Sequence, residues 1–115
     1  MDTRAKIVDA IRARLIAAQG ATVVSGYFDP LVASHAERLA ELKRERVPLL
    51  VLIATPDDAI LPARARAELV AGLAVVDYVC ETADDVAPHL SLEREHTERL
   101  AQLIEHVHTR QQAAS

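Results

Sequence analysis

The stretch VVSGYFDPLVASHAERL, Val23 to Leu39, runs from an apolar, β-branched segment through glycine, aspartate and proline into a helical pattern. A strand that leads directly into a helix is where parallel α/β proteins bind phosphate groups, because the first amides of the helix point outward and carry partial positive charge. The stretch therefore predicts a phosphate site, although a tight connection between two elements has the same sequence features.

Two further apolar runs extend an alternation of strands and helices. LLVLIA, Leu49 to Ala54, is uninterrupted, which is typical of a parallel strand covered on both faces. VVDYV, Val75 to Val79, is the third predicted strand, and a first helix is predicted over Arg4 to Ala18. The predicted inward positions of the helices are Ile7, Ile11 and Leu15; Ala36, Leu39 and Leu42; Ala65, Leu69 and Leu73; and Leu100, Leu103, Ile104 and Val107. This order predicts an α/β fold, a three-layer Rossmann-like parallel sheet with helices on both faces.

Composition narrows the classes of partner. The 115 residues are expected to form one domain, residues 1–115, because domains of about 100–150 residues are the commonest size. A net charge of −4, with one Phe and two Tyr, argues against nucleic-acid binding, which uses basic stripes and stacking aromatic residues. No segment has the apolar length of a membrane span, and the N-terminal segment lacks the features of a secretory signal. With a single cysteine, Cys80, we expect a cytoplasmic protein that binds small molecules or other proteins.

The number of predicted strands bears on assembly. Three strands make a small sheet, below the usual about four to six. The edges of such a sheet, and one helix face, need cover from elsewhere. We therefore expect a homodimer.

The segment GYFDPLVASH, residues 26–35, resembles the nucleotide-binding signature of the cytidylyltransferase-like family of nucleotidylyltransferases. That signature runs Gly-x-Phe-Asp and continues, after a few residues, to His-x-Gly-His at the start of a helix. The chain matches it in order and spacing at Gly26, Phe28, Asp29 and His35. A second segment, Arg66 to Val79, resembles the helix and strand of the family that end in Val-Asp-x-Val, so the likeness covers roughly the first two-thirds of the chain.

The resemblance implies a small variant of the nucleotidylyltransferase fold, similar to heptose-phosphate adenylyltransferases and glycerol-phosphate cytidylyltransferases. It implies transfer of a nucleotidyl group from CTP or ATP to a phosphorylated small molecule, with release of pyrophosphate and with Mg²⁺ as the cofactor. His35 would be the catalytic residue, because the matching histidine stabilises charge as the bond to pyrophosphate opens. The nucleotide or its phosphates would contact Gly26, Tyr27, Phe28, Asp29, Ser34, His35 and Arg66.

Two positions depart from the signature. Val32 stands where the family has the first histidine, and Ser34 stands where it has the glycine. Valine donates no hydrogen bond, and loss of one such donor costs about 2.7–4 kcal/mol of transition-state stabilisation, or roughly 100–1000-fold in rate. The chain is therefore interpreted either as a weakened nucleotidyltransferase or as a catalytically inactive homologue that acts as a dimeric binding or regulatory module. An unrelated flavodoxin-like domain is the third interpretation.

Three of the matching residues also have structural interpretations. Gly26 is expected to supply backbone freedom at the end of a strand, whichever interpretation of the chain is correct. Asp29 precedes a proline, where an aspartate commonly accepts hydrogen bonds within a turn. Arg66 lies on a predicted helix, where an arginine more often pairs with an acid or faces solvent than contacts a phosphate.

Other residues suggest metal or nucleophile chemistry. Asp57 and Asp58 are ligand types for Mg²⁺, but adjacent acids more often belong to a turn. Glu93 and His96 have the i, i+3 spacing of carboxylate and histidine metal ligands, yet such sites need contributions from several helices. We therefore assign no metal ligand and expect a surface helix with scattered histidines, from the set His89, His96, His106 and His108. Cys80 follows an apolar strand and is expected to be a small buried residue rather than a nucleophile.

Overall fold

The structure, a computed structural model, describes residues 3–97. Its elements are a 3₁₀ segment at Thr3–Lys6, β1 (Ile7–Val8), α1 (Ala10–Ala18), β2 (Thr22–Gly26), α2 (Ala33–Leu42), β3 (Leu49–Ile53), α3 (Ala63–Ala71), β4 (Tyr78–Cys80) and β5 (Leu90–Ser91). Residues 93–97 are helical as well and are called the 93–97 segment below. The predicted terminal positions Leu100, Leu103, Ile104 and Val107 lie outside the described residues.

Five parallel strands form one sheet in the order β1-β4-β3-β2-β5. The α/β class and the parallel sheet are therefore confirmed, and the arrangement is compatible with a Rossmann-like fold. The chain moves from β2 outward through β3 to β4, and β5 then pairs on the opposite side of β2. The strand order thus reverses at β2, which makes the carboxyl end of β2 a topological switch point.

Both faces of the central strands are buried. All five residues of β3 are buried, as the uninterrupted apolar run predicts. On one face, Val24 and Val51 pack with Leu39 of α2 and Val70 of α3. On the other face, alternate strand residues pack with α1, in a cluster of Ala13, Ile16, Ala21, Val23, Leu50, Leu52 and Cys80. Within the described residues, none of the helices has the length and hydrophobicity needed to cross a membrane.

Asp77 explains locally why an acid follows the valines before β4. Its Oδ2 accepts a hydrogen bond from the backbone N–H of Leu49 at 2.7 Å and pairs with Lys43 Nζ at 3.0 Å. The N–H of Asp77 in turn donates to the carbonyl of Leu49 at 3.0 Å. Asp77 therefore fixes the start of β3 against β4.

The first helix differs from its prediction. Ile7 and Val8 form the edge strand β1 instead of a helical turn, and α1 begins after Asp9, whose carboxylate caps it by accepting the N–H of Arg12 at 2.8 Å. Ile11 and Leu15, predicted to face inward, are 70% and 59% exposed. Helical spacing identifies an apolar stripe but not the side of the helix on which the sheet lies. In α1 the residues that lie against the sheet are Ala13 and Ile16.

Three other predictions are corrected. In the stripe predicted for α3, Leu73 packs against the core but Leu69 is 47% exposed, and Ala67, Val70 and Ala71 are the buried residues of the helix. The strand predicted at residues 75–79 corresponds to β4, which lies at Tyr78–Cys80 and is therefore displaced towards the C-terminus. The sheet has five strands where three are predicted, because β1 and β5 contain only two residues each and leave no apolar run in the sequence.

Candidate functional site

A cavity of about 650 Å³ lies at the carboxyl ends of β2 and β3. Its walls come from the chain between β2 and the start of α2, from the loop after β3, and from the 93–97 segment, which follows β5. This is the switch point of the sheet, where open parallel α/β sheets bind ligands. Its volume lies within the range of about 300–1,000 Å³ that is usual for small-molecule sites.

Four predicted site residues line the cavity: Tyr27, Asp29, Ser34 and His35. Gly26 and Phe28 do not line it but pack against its histidines, and Arg66 is placed elsewhere, as described below. A smaller cavity of about 310 Å³ adjoins the first and lies between α2 and the 93–97 segment. The two cavities share Ser34, His35 and His96.

His35 is the third residue of α2 and is 8% exposed. Its Nδ1 accepts a hydrogen bond from the backbone N–H of Val32, the N-cap residue, at 3.3 Å. A ring nitrogen that accepts a hydrogen bond carries no proton, so the proton of a neutral His35 lies on Nε2. The ring of Phe28 packs against the imidazole in an edge-on contact, with centroids 5.7 Å apart.

His96 is predicted to lie on a surface helix, but the structure buries it in this site, against residues distant in sequence. Its ring centroid lies 4.0 Å from that of His35 and 4.6 Å from that of Phe28. Its Nδ1 accepts the backbone N–H groups of Tyr27 and Phe28, at 3.1 and 3.3 Å. Burial, and to a lesser extent repulsion by a protonated His35, lowers the pKa of His96 to about 4. His96 is therefore a neutral residue that holds the β2–α2 loop.

Phe28 and Gly26 explain why this loop needs an unusual sequence. Phe28 is fully buried with a φ of 48°, a left-handed conformation that is strained for a bulky residue and is often found at functional sites. A Cβ at Gly26 would lie 2.5 Å from Cε1 of His96 and 2.7 Å from Cε2 of Phe28. Gly26 is therefore needed for the space that two rings occupy, and not for the backbone freedom that the sequence predicts.

Asp29 joins two walls of the cavity. Its two carboxylate oxygens accept the backbone N–H groups of Ile60 and Leu61, at 2.6 and 2.8 Å. Asp29 is thus a hydrogen-bond acceptor, as its structural interpretation predicts, but its donors belong to the loop after β3 and not to its own turn.

Arg66 is buried within the fold. The sequence predicts either a phosphate contact or a surface position, whereas the side chain is fully buried and its guanidinium donates to the protein itself. Its bonds are Nε to the Leu61 carbonyl at 3.0 Å, Nη1 to the carbonyls of Tyr27 and Ala54 at 3.0 and 2.7 Å, and Nη2 to Thr55 Oγ1 at 2.9 Å. All three nitrogens are engaged, so Arg66 joins the ends of β2 and β3 and is removed from the set of ligand contacts.

The cavity carries little positive charge. The described residues that line the larger cavity include Asp29 and Asp58 but neither lysine nor arginine. Arg38 borders the smaller cavity, where it pairs with Glu41 at 3.2 Å and Glu95 at 3.4 Å. The imidazoles of His35 and His96 and the N-terminus of α2 are therefore the features of the larger cavity that favour an anion.

No group of three His, Cys, Asp or Glu side chains within residues 3–97 is arranged to hold a metal ion. Each carboxylate oxygen of Asp29 accepts one backbone hydrogen bond, so the side chain is already used to hold the loop after β3. Asp57 and Asp58 lie in the exposed loop after β3, as the turn interpretation predicts. We derive no chemical step through a metal ion.

The other histidines and the cysteine have structural positions. His89 joins β5 to β2: its Nδ1 accepts the N–H of Val23 at 2.9 Å and its own N–H donates to the Val23 carbonyl at 2.8 Å. Glu93 accepts a hydrogen bond from Ser25 Oγ at 2.6 Å. Cys80 is buried, as predicted, and burial raises the pKa of its thiol. His106 and His108 lie outside the described residues.

Comparison with known proteins does not assign the chain to a family. No protein-family model matches the chain, and no curated protein matches its sequence. The likeness to cytidylyltransferase-like enzymes remains a prediction from residues 26–35 and 66–79. The function must therefore be argued from the cavity itself.

Proposed function

We propose that the chain is a binding module that holds a nucleotide or another phosphorylated small molecule in the larger cavity, and that it does not transfer nucleotidyl groups at a useful rate. In this proposal the fold is a small, three-layer variant of the nucleotidylyltransferase fold. The observation that carries it is the position of a cavity of about 650 Å³ at the switch point of the sheet, beside the N-terminus of α2 and two imidazoles.

The walls of the cavity suit a ligand with an apolar body and one anionic group. Tyr27, Pro30, Val32 and Ile60 supply apolar or aromatic surface. Val32 and Ile60 are 45% and 69% exposed, so both offer apolar surface that a ligand in the cavity can cover. A nucleoside or sugar-like body against these residues would bring its phosphate towards the first turn of α2.

The same walls disfavour the transfer reaction. A nucleoside triphosphate carries several negative charges, and its transfer is normally stabilised by lysine, arginine or a metal ion aimed at the phosphates. The described lining residues provide neither lysine nor arginine, and the guanidinium of Arg66 is fully engaged with the protein. Val32 offers no hydrogen bond where the family has a histidine. Binding without efficient transfer is therefore the better-supported function.

Thermal unfolding tests the binding proposal. A ligand present at 100 times its Kd adds about 2.7 kcal/mol to the free energy of unfolding, which raises the Tm of a domain of this size by about 10 °C or more. We expect such a rise with at least one member of a panel of CMP, CTP, AMP, ATP and sugar phosphates. Nucleosides without phosphate serve as controls. A Tm that stays constant across the whole panel would contradict the proposal.

Release of pyrophosphate tests the second part of the proposal, that the chain does not transfer nucleotidyl groups at a useful rate. The protein is incubated with CTP or ATP, Mg²⁺ and a panel of sugar phosphates, and the His35→Ala variant serves as the background. We expect equal pyrophosphate release by the two proteins. Release by the native chain that clearly exceeds that of the variant would show that His35 still supports catalysis.

Homodimer formation and a cytoplasmic location stay predictions from the sequence. The outer face of α1 is compatible with a dimer, because Ile11 and Leu15 lie one turn apart and are largely exposed. A dimer that covers this face would leave the cavity accessible, since neither residue lines it.

A further inference from the structure

We infer that His96 is a ligand-binding residue of the larger cavity, which donates a hydrogen bond from Nε2–H to an oxygen of the ligand's phosphate group while its Nδ1 holds the β2–α2 loop. This inference rests on the proposed function and assigns a residue that comes from the 93–97 segment, far in sequence from the predicted motif. It also makes a single ring responsible for loop shape and for anion binding.

The hydrogen bonds of the ring fix its tautomer. Nδ1 of His96 lies 3.1 Å from the Tyr27 nitrogen and 3.3 Å from the Phe28 nitrogen, and both nitrogens are backbone donors. Nδ1 must therefore be the unprotonated acceptor, and the proton of the neutral ring lies on Nε2. His96 thus presents a donor at Nε2.

This donor is accessible from the cavity. No hydrogen bond within residues 3–97 involves His96 Nε2. The atom is also not among the fully buried polar atoms of these residues that make no hydrogen bond, which are Arg38 Nε and Glu93 Oε2. His96 itself lines both cavities. Since the ring is only 9% exposed, its small accessible surface faces these cavities. A ligand oxygen in the larger cavity can therefore accept a hydrogen bond from Nε2–H.

Neighbouring groups favour an oxyanion as the acceptor. The imidazole of His35 is stacked at a tilt beside that of His96, with centroids 4.0 Å apart, and its Nδ1 is likewise an acceptor of a backbone N–H. The N-terminus of α2 adds its partial positive charge at the same wall. Hydrogen bonds from neutral donors to a charged oxygen are among the stronger ones in proteins. A phosphate monoester or inorganic phosphate fits this set.

Paired variants separate the two roles of the ring. In His96→Asn the side-chain carbonyl takes the place of Nδ1 and can still accept the amides of Tyr27 and Phe28, but the Nε2–H donor is lost. In His96→Leu both are lost. His89→Asn is the matched control, because Nδ1 of His89 also accepts one backbone N–H, that of Val23, and His89 does not line either cavity.

The measured quantity is the preference for a monophosphate over its nucleoside, from Kd values for AMP against adenosine and CMP against cytidine. We expect this preference to fall by about 10-fold or more in His96→Asn and to be unchanged in His89→Asn. Inorganic phosphate is titrated separately, and its Kd is expected to rise in His96→Asn by a similar factor. His96→Leu is expected to lose stability as well as preference.

A second measurement does not depend on variants. In the native protein, nitrogen-15 NMR of the histidine rings should show His96 as the Nε2–H tautomer, and AMP or CMP should shift its Nε2 signal more than its Nδ1 signal. An unchanged preference in His96→Asn, or an Nε2 signal that does not respond to a bound monophosphate, would overturn the inference. Failure of the proposed function looks different: the native chain would respond to none of the compounds.

Discussion

Replacing Arg66 with methionine is expected to lower the free energy of unfolding by about 3 kcal/mol, the largest effect of any single substitution considered. The side chain is fully buried, and its nitrogens satisfy three backbone carbonyls and one hydroxyl. Methionine has similar length but no donors, so the three carbonyls and the hydroxyl would lose these hydrogen bonds at a cost of about 1 kcal/mol each. Relief from burying a charge offsets part of that cost.

Chemical denaturation measures this effect. Two control variants are compared, one at Arg66 itself and one at Arg64 on the same helix. Arg66→Lys keeps the charge but offers one nitrogen in place of a planar fork, so it should recover less than half of the lost stability. Arg64→Met removes an exposed arginine that pairs with Glu68 and Glu81, and it should cost less than about 1 kcal/mol. Equal losses for Arg66→Met and Arg64→Met would show that the hydrogen bonds of Arg66 contribute no more to the free energy of unfolding than an exposed ion pair does.

Lowering the pH from 7 to 4 is expected to remove about 2–3 kcal/mol of stability through His96 alone. The pKa of His96 is about 4 in the folded protein, against an ordinary value of 6.5. Between these values the unfolded chain binds a proton that the folded chain does not, so this contribution is fully present above pH 6.5 and is lost as the pH falls towards 4. Protonation would also place an N–H at Nδ1 against the amides of Tyr27 and Phe28.

Urea unfolding of the native chain and of His96→Asn, at several pH values from 7 to 4, isolates this contribution. Carboxylates also titrate in this range, but they are common to both proteins. The difference in free energy of unfolding between native and variant should therefore shift in favour of the variant by about 2–3 kcal/mol as the pH falls. Parallel pH profiles would show that His96 is not buried as a neutral acceptor.

The central part of the fold is predictable because local sequence and tertiary packing agree there. The run at Leu49–Ile53 is short and apolar throughout, as is typical of a strand covered on both faces, and the β-branched residues of β2 precede a turn and a helix start. The edge strands β1 and β5 are different. Each has two residues and is defined only by its neighbour in the sheet, so neither leaves a pattern in the sequence.

The candidate site is predictable only in part, for a related reason. Residues 27–35 are contiguous, so a motif can identify Tyr27, Asp29, Ser34 and His35 as neighbours of one wall. His96 joins them across 68 residues, through hydrogen bonds to backbone atoms that have no sequence signature. For Arg66 the sequence suggests a ligand contact or a surface position, and the structure shows neither. Its partners include the carbonyls of Leu61, Tyr27 and Ala54, which are distant from one another in sequence.

The most direct test of the whole account is a crystal structure of the chain with a saturating nucleoside monophosphate. We predict that the phosphate lies at the first turn of α2 with an oxygen within about 3.2 Å of His96 Nε2, and that the nucleoside covers Val32 and Ile60. A ligand bound at another surface, or a cavity that holds only water under these conditions, would contradict the assignment of this cavity as the functional site.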